Sequence, residues 1–195
     1  MMGYARVPPL QAGSTPAEAQ NQDSGNPSGR ARDAGAPMSR KTRATEMLEK
    51  AGVAFSVHSY DYDPNADRIG VQAAEALQQP PERVLKTLMA LVDGKPVCVI
   101  VPSDREVSMK KLAASFGGKS AQMMKPADAE RVTGFKVGGI SPFGQKRKVP
   151  TAIEIAALSH DLVFINAGQR GLQVRIDPSA AQRALDAIAA PLVVE

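Results

Sequence analysis

The clearest pattern along the chain is a pair of apolar runs separated by a two-residue turn. The segment Val84–Val92 and residues 96–101 are rich in β-branched and aliphatic side chains, and Asp93-Gly94 lies between them. An Asp-Gly pair in this position is typical of a β-hairpin, because both residues tolerate the backbone conformation that a tight turn requires. Upstream, residues 55–60 alternate apolar and polar positions, which predicts a half-buried strand.

Segments with helical spacing alternate with these strands. Residues 42–51 place apolar side chains on one helical face, and Gly52 follows as a helix stop. Ser108 is an N-cap candidate for a helix that Gly117-Gly118 terminates. The helices predicted in this way comprise residues 42–51, 71–77, 108–116 and 126–132, and a last helix that begins at Asp177-Pro178 and runs to about residue 189.

After a glycine-rich loop, the C-terminal part of the chain returns to short apolar runs. We expect strands at residues 151–158, 162–166, 172–176 and 191–194, although the alanine content of 151–158 is also compatible with a helix. Helices interspersed with hairpins predict an α+β fold. The expected architecture is a single domain with a mixed, mainly antiparallel sheet flanked by short helices.

Residues 1–37 differ in composition from the rest of the chain. They are dominated by Gly, Pro, Ser, Ala, Asn and Gln and show no apolar period. Because such a segment buries too little surface to offset its ordering entropy, we predict a disordered extension at 1–37 and a folded domain at 38–195. The charges of the extension cancel, so the net charge of +4 falls on the domain. An upstream start codon and a functional tail both remain open, since Met38 stands where the ordered pattern begins.

Composition restricts the class of protein. No apolar run approaches the roughly 20 residues that a transmembrane helix needs, and the first residues lack the apolar stretch of a secretory signal. The single cysteine, Cys98, excludes an internal disulfide, so we expect a cytoplasmic protein that does not bind membranes. The mildly basic charge is compatible with a phosphate-bearing partner and equally with a solvated basic face.

The chain contains none of the common P-loop, GxSxG, CxxC or HExxH motifs. With only His58 and His160, a histidine metal site is not expected, and both are interpreted as surface or capping residues. Cys98 lies in an apolar strand without basic neighbours, which predicts a buried structural thiol and not a nucleophile.

Lys86 interrupts the apolar run of the first hairpin strand. The two-residue period of a strand places it on the same face as Val84, Leu88 and Ala90. Burial of an unpaired ammonium is costly, so this amine must reach water, a carboxylate or a ligand. A lysine that extends its amine to solvent from a strand end is the alternative.

A second unusual segment is the glycine-rich loop at residues 133–144, which holds Gly138-Gly139 and Ser141-Pro142 and precedes the basic run Lys146-Arg147-Lys148. Paired glycines allow backbone N–H groups to approach a ligand closely, and adjacent amides can bind an anion or a developing oxyanion. A plain connecting loop is the alternative interpretation.

Taken in order, four groups of residues resemble the YbaK/EbsC family, the free-standing relatives of the editing domain inserted in bacterial prolyl-tRNA synthetases. The resemblance covers about residues 39–194. The groups are Tyr60-Asp61 with Asp63-Pro64, Lys86-Thr87-Leu88, residues 137–142 with Gly144-Gln145-Lys146, and residues 168–172.

The resemblance implies an α+β fold with a mixed sheet and, as activity, the deacylation of Cys-tRNA(Pro). Family members lack a protein nucleophile; the cysteinyl thiol of the substrate attacks the ester and expels the tRNA as a thiolactone forms. No cofactor or metal is implied, and the expected partner is an aminoacyl-tRNA, tRNA(Pro) in the first place, with or without prolyl-tRNA synthetase. A deacylase for alanine, a non-catalytic module that binds a nucleotide or tRNA end, and an accessory subunit of the synthetase remain alternatives.

Carried over by position, the resemblance assigns catalysis to Lys86, Gly138 and Gly139. Lys86 is expected to contact the aminoacyl end or the terminal phosphate, and the glycine loop to contact the terminal adenosine and the ester carbonyl. Asn166 stands where relatives carry serine and Gln173 where some are acidic, which bears on amino-acid preference more than on reaction class. The residues expected to bind substrate are Tyr60, Ile69, Thr87, Ile140, Ser141, Pro142, Asn166, Gly168 and Arg170.

Overall fold

The fold is built on one mixed β-sheet, described in a computed structural model for residues 41–66 and 69–195. The predicted extension at residues 1–37 lies outside the described residues. Within these ranges, no helix combines the length and apolar content that crossing a bilayer requires. The strands are β1 Phe55–Ser59, β2 Val84–Val92, β3 Lys95–Pro102, β4 Ala121–Met123, β5 Thr151–Glu154, β6 Val163–Asn166, β7 Leu172–Ile176 and β8 Ile188–Ala190. The helices are α1 Arg43–Lys50, α2 Ile69–Ala76, α3 Met109–Ser115, α4 Pro126–Thr133 and α5 Pro178–Leu185, with 3-10 turns at Pro81–Arg83 and Ile155–Ser159.

The strand order is β1-β7-β6-β2-β3-β5-β8, and β4 pairs with β2 beyond the end of β6. Antiparallel pairs are β1 with β7, β6 with β7, β2 with β3 and β2 with β4. The parallel pairs are β2 with β6, β3 with β5 and β5 with β8. The predicted α+β fold with a mixed, mainly antiparallel sheet is therefore confirmed.

The predicted hairpin forms the centre of the sheet. Strand β2 begins and ends where the apolar run does, and Val92 pairs with Lys95 across the turn. Asp93 and Gly94 have φ angles of 47° and 78°. Both lie in the left-handed region, which is why the Asp-Gly pair suits this turn. The same pairing leaves β2 and β3 with neighbours on both sides, so they form the buried middle of the sheet.

Side-chain caps fix where three helices begin. The Thr42 hydroxyl accepts a hydrogen bond from the Thr45 N–H at 3.1 Å, at the start of α1. Ser108 caps α3 through the Lys111 N–H at 3.4 Å, and Asp177 caps α5 through the Ser179 N–H at 2.7 Å. Each cap satisfies an N–H group that the first helical turn cannot pair internally. These boundaries follow the sequence-based predictions closely.

Apolar side chains cover both faces of the sheet. On the face that includes Val84 and Ala90, helices α2 and α3 bury two separate clusters, one around Val84 and Phe164 and the other around Ala90 and Leu112. On the opposite face, α1, α4 and α5 cover the remaining core residues of β2, among them Leu85. Lys86 lies on the first face, between the two clusters, so its amine does not interrupt a continuous core.

Three predictions near the chain end were wrong in their bounds, and one short strand earlier in the chain was missed. The strand predicted at 151–158 ends at Glu154, whose carboxylate accepts from the Ala156 N–H at 3.3 Å and starts a 3-10 turn. The last helix ends at Leu185 because Asp186 takes a left-handed φ of 52°, which frees Ile188–Ala190 to pair as β8. The strand predicted at 191–194 is reduced to one bridge, between Val107 and Val193. Strand β4 was not predicted because its three residues are too few to show a period.

Candidate active site

A gap in the sheet opens the main candidate site. One edge of β2 pairs with β6 at Val84 and Leu85 and with β4 from Ala90 onward. The intervening residues, including Lys86 and Thr87, have no strand partner on that edge. A cavity of about 360 Å³ occupies the gap. Because the cavity opens at a strand edge, side chains from both faces of β2 reach it.

The cavity is lined mainly by apolar side chains, with a few polar groups at defined positions. Sequence analysis predicted Tyr60, Lys86, Thr87, Ile140 and Asn166 as site residues, and the structure brings all five together in its lining with Gly138. No carboxylate or imidazole belongs to the part of the lining that the structure describes. The further lining residues are Tyr62, Gly70, Ala73, Val84, Leu85, Leu88, Met89, Ser103, Met123, Met124, Pro126, Ala129, Val137 and Gln173.

Lys86 is half-buried in the cavity wall. Its Nζ donates a hydrogen bond to the backbone oxygen of Ser103 at 3.2 Å. Burial lowers the pKa of this amine below the ordinary lysine value, and the carboxylates of Asp104 and Glu106 oppose that shift. Among the described residues its hydrogen-bond acceptor is a neutral carbonyl, and a partly desolvated cation with such a partner is well suited to bind an anionic or strongly polarised oxygen.

Two residues of the cavity lining each carry a buried polar atom without a partner. The Oγ1 atom of Thr87 and the Oε1 atom of Gln173 have no hydrogen-bond partner among the described residues. Both side chains are buried, at 9% and 4% exposure. Leaving such atoms unpaired costs free energy, so they are candidates for contact with a polar ligand or water.

Asn166 organises the wall next to these atoms. Its Nδ2 donates to the backbone oxygens of Gly138 and Gln169, each at 3.3 Å. Its Oδ1 accepts from the Gly168 N–H at 2.7 Å. The amide therefore ties the glycine loop to the turn after β6. Gly168 itself does not line the cavity and contributes through this bond.

The two loop glycines differ in position. Gly138 lines the cavity with a φ of 86°, and a Cβ there would lie 2.7 Å from the Tyr62 hydroxyl. Gly139 lies outside the lining, and its N–H donates to the Lys136 oxygen at 2.8 Å. Among the described residues, the N–H groups of Gly138 and Ile140 have no acceptor. Of the predicted Gly138-Gly139 pair, the Gly139 N–H is therefore engaged within the loop, whereas the Gly138 N–H is not.

Gly139 has a packing role instead. A Cβ at this position would lie 2.7 Å from the Arg170 backbone nitrogen and 3.0 Å from the Gln169 carbonyl carbon. Such distances are far inside van der Waals contact. A glycine is therefore required for the loop to pack against the turn that follows β6.

Ser141 and Pro142 lie behind the cavity and do not belong to its lining. The Ser141 side chain is fully buried and its Oγ accepts from the Phe143 N–H at 3.2 Å. Gln145 donates to the Ser141 backbone oxygen at 3.0 Å. These bonds of Ser141 anchor the glycine loop. Since neither Ser141 nor Pro142 lines this cavity, direct contact with a ligand in it is not supported for either of them.

Arg170 holds the rim of the cavity. Its Nε donates to the Val137 oxygen at 2.8 Å, and its guanidinium lies 5.5 Å from the centroid of the Tyr62 ring. It does not line the cavity itself. Ile69 opens α2, next to the lining residue Gly70, and its side chain lies outside the described part of the chain.

Sequence reasoning missed three polar lining residues, Tyr62, Ser103 and Gln173, as direct contributors. Gln173 is adjacent to Asn166 only because β6 and β7 pair in that register. From the sequence, Gln173 was noted only as a departure from the family pattern. Its polar side chain in the mostly apolar strand β7 is the one further feature of the sequence that could have identified it as a site residue. Ser103 and Tyr62 lie just after strands β3 and β1, where no spacing rule selects them.

The remaining chemically active side chains lie outside the cavity. Cys98 is buried, and burial raises the pKa of its thiol to about 12. This confirms the prediction of a structural thiol. His58 was interpreted as a surface or capping residue, and it is half-buried. Its ring packs edge-on against Phe164 with the ring centroids 5.3 Å apart, so it also contributes to packing. His160 caps the 3-10 turn at Ile155–Ser159, as the capping interpretation suggested.

Comparison with known proteins identifies the family of this chain. Residues 63–184 match the profile of the aminoacyl-tRNA editing domain. The chain is 32% identical over 143 residues to a protein of Enterococcus faecalis named "Putative Cys-tRNA(Pro)/Cys-tRNA(Cys) deacylase EbsC", covering 72% of this chain and 86% of that protein. It is 32% identical over 89 residues to the proline–tRNA ligase of Geobacter metallireducens, which is 46% of this chain and only 15% of the ligase.

The fold also matches solved structures. One, described as "a putative trans-editing enzyme for prolyl tRNA synthetase", superimposes with a TM-score of 0.69 at 21% identity, covering 78% of this chain and 96% of that chain. The likeness at this identity shows the fold alone. Together with the profile match and the 32% identical relative, it confirms the predicted editing-domain fold and function class. The chain belongs to the aminoacyl-tRNA editing domain family.

Proposed function

We propose that this protein hydrolyses cysteine from mischarged tRNA, with Cys-tRNA(Pro) as its main substrate. The observation that carries the proposal is the cavity in the sheet gap, an apolar space of about 360 Å³ lined by the half-buried Lys86 and by Gly138 and Ile140, whose N–H groups have no acceptor among the described residues. A space of this size accommodates a small amino acid with the ribose to which it is esterified. The names of the relatives, which include a putative Cys-tRNA(Pro)/Cys-tRNA(Cys) deacylase and a proline–tRNA ligase, support the choice of amino acid and tRNA.

In the proposed complex, the ester carbonyl oxygen lies near the Gly138 and Ile140 N–H groups. These donors stabilise the negative charge that develops on this oxygen as the ester is attacked. The Lys86 ammonium holds either the same oxygen or the terminal phosphate. Thr87 and Gln173 contact the polar groups of the amino acid, which satisfies their otherwise unpaired oxygens.

The nucleophile in this proposal is the thiol of the substrate itself. Its sulfur forms a bond to the ester carbon, the bond between that carbon and the ribose oxygen breaks, and the ribose oxygen takes the proton that the thiol has lost. The resulting thiolactone then reacts with water to give cysteine. Two features support this route: the described lining offers no carboxylate or imidazole, and Cys98 is buried outside the cavity.

The experiment is deacylation of labelled Cys-, Ala- and Pro-tRNA(Pro) by the full chain. We expect selective loss of cysteine and a decrease of about 100-fold in kcat/KM for Lys86→Ala, as for the removal of a charge-stabilising donor. Lys50→Ala, an exposed lysine on α1, is the matched control and should retain full activity. An aminobutyryl-tRNA, similar in size but without the thiol, should be cleaved no faster than in buffer.

Other outcomes would identify the alternatives. Preferential release of alanine would make the protein an alanine deacylase, and cleavage of aminobutyryl-tRNA would exclude attack by the substrate thiol. Retained tRNA binding without release of any amino acid would indicate a binding module. Activity that appears only on addition of prolyl-tRNA synthetase would establish the synthetase as a required partner.

A further inference from the structure

A second cavity, of about 440 Å³, lies at the turn of the central hairpin, away from the candidate active site. We call it the hairpin groove. Its walls come from the ends of β2 and β3, the segment after α3 and the chain that leads into β5. The lining residues are Val92, Asp93, Lys95, Pro96, Val97, Phe116, Gly117, Gly118, Arg147, Lys148, Val149 and Pro150.

The hairpin groove is basic. Lys95, Arg147 and Lys148 are exposed, and within residues 41–66 and 69–195 none of them lies within 4 Å of a carboxylate. Its one acidic residue, Asp93, is already engaged, accepting hydrogen bonds from the N–H groups of Lys119 and Ser120 at 2.9–3.1 Å. Three cations therefore share one concave surface with a single carboxylate, which already accepts hydrogen bonds from the protein backbone.

The backbone that presents these cations is fixed at both ends. The Lys146 and Arg147 N–H groups donate to Thr133 and Val132 at 2.8 and 3.1 Å, at the end of α4. Further along, the Pro150 oxygen accepts from the Cys98 N–H at 2.9 Å. The basic run singled out in the sequence is thus held as a rigid edge of the groove, which lowers the entropy cost of binding through it.

The floor of the groove is kept low by glycine. A Cβ at Gly118 would lie 2.3 Å from a Val92 methyl carbon and 3.0 Å from an Asp93 carboxylate oxygen. A side chain at this position would have to displace the side chain of Val92 or Asp93. Glycine therefore leaves this part of the groove without a side chain of its own.

We infer that the hairpin groove binds the phosphodiester backbone of RNA, and specifically the strand whose aminoacylated end occupies the sheet-gap cavity. Strand β4 links the two sites, because Ser120, which immediately precedes it, donates a hydrogen bond to Asp93 of the groove, and Met123 lines the cavity. Three residues of strand span about 10 Å, so phosphates a few nucleotides from the acylated end lie within reach of Lys95, Arg147 and Lys148. This assignment rests on the proposed function for the identity of the RNA.

The test is the salt dependence of uncharged tRNA binding to the full chain, measured by fluorescence anisotropy. Neutralising the three groove cations (Lys95→Ala, Arg147→Ala and Lys148→Ala) should weaken binding at least 10-fold at low salt. The slope of log Kd against log salt should fall by about 2 to 3, which corresponds to about 0.7–0.9 for each of three phosphate contacts that are lost. The matched control removes three exposed cations outside the groove, Lys50, Lys110 and Arg183, and should bind as the unmodified protein does.

Each further outcome decides the assignment. An unchanged slope in the groove variant, or an equal loss in the control, would overturn it, because the effect would then be absent or due to net charge alone. Circular dichroism of each variant verifies the fold. Deacylation by the unmodified chain is measured alongside: if binding responds as expected but no aminoacyl-tRNA is cleaved, the RNA groove stands and the proposed function fails.

Discussion

Lys86 shows how one residue can be both part of a strand and available for chemistry. It lies between two apolar clusters of the same sheet face. Among the described residues, the one hydrogen-bond acceptor of its amine is the Ser103 carbonyl. Burial makes the charged form less stable than in water. The residue is therefore held in a state in which a new anionic contact is favourable, because that contact replaces the lost hydration.

The lowered pKa of Lys86 predicts the pH dependence of the reaction. The ammonium is the functional form, so the contribution of Lys86 is present below its pKa and is lost as the pH rises through it. Since burial lowers this pKa, activity should decline on the alkaline side below the ordinary lysine value of about 10.4. The measurement is kcat/KM for Cys-tRNA(Pro) against pH, corrected for uncatalysed ester hydrolysis.

Lys86→Arg provides the control for this assignment. A guanidinium stays protonated up to a pKa above about 12, so the alkaline decline should move to higher pH even if the overall rate is lower. If the decline stays at the same pH in the variant, a different group is responsible for it.

At the scale of elements, Glu154 connects the central sheet to the chain end. This carboxylate is buried, and its Oε2 accepts from the N–H groups of Leu192 and Val193 at 2.7 and 3.2 Å. Its Oε1 accepts from Ala156. One side chain thus ends β5, starts the 3-10 turn and fixes the C-terminal segment, whose Leu192 is fully buried in the core.

Removal of this carboxylate should destabilise the protein. Glu154→Ala leaves three N–H groups without their acceptor, and we expect the free energy of unfolding to decrease by about 2–3 kcal/mol. Glu154→Gln keeps one acceptor oxygen and should lose less. Urea unfolding followed by circular dichroism measures both. Equal stability of Glu154→Ala and the unmodified protein would show that water replaces the carboxylate at no cost.

Elements with a strong local signal were predictable from the sequence, and those defined by pairing were not. The hairpin strands and the capped helices follow from the run of apolar residues, from Asp93-Gly94 and from Thr42, Ser108 and Asp177. Strands β4 and β8 have only three residues each and exist because neighbouring strands offer free edges. A short segment carries no period, so tertiary pairing decides its structure.

The candidate site shows the same division. Lys86 and Gly138 stand out in the sequence because a lysine in an apolar strand and a glycine pair are locally unusual. The grouping of Lys86 with Thr87 was not derivable from strand periodicity, which places adjacent residues on opposite faces. It came from the family resemblance, and the sheet gap supplies its physical reason. The engaged N–H of Gly139 could be found only from the loop geometry.

At the scale of the whole molecule, the sheet predicts a gradient of local stability. Strands β2 and β3 have neighbours on both sides, while β1 and β8 lie at the two ends of the strand order. Edge strands open without unfolding the rest, so their amides exchange by local motion. Native-state hydrogen exchange should show the slowest exchange in β3 and faster exchange in β1 and β8. Uniform protection across the sheet would contradict this expectation.

The gap beside β2 has a consequence for how this fold can change its substrate. The length of the opening is set by where β6 and β4 each end along β2, not by the bulk of any one side chain. A two-residue extension of β4 toward β6 would shorten the opening by about 7 Å, while the helices and the rest of the sheet kept their places. The lengths of β4 and β6 then determine how large a substrate the gap admits. A change in backbone pairing could therefore alter the preferred substrate size while Lys86 and the glycine loop stay the same.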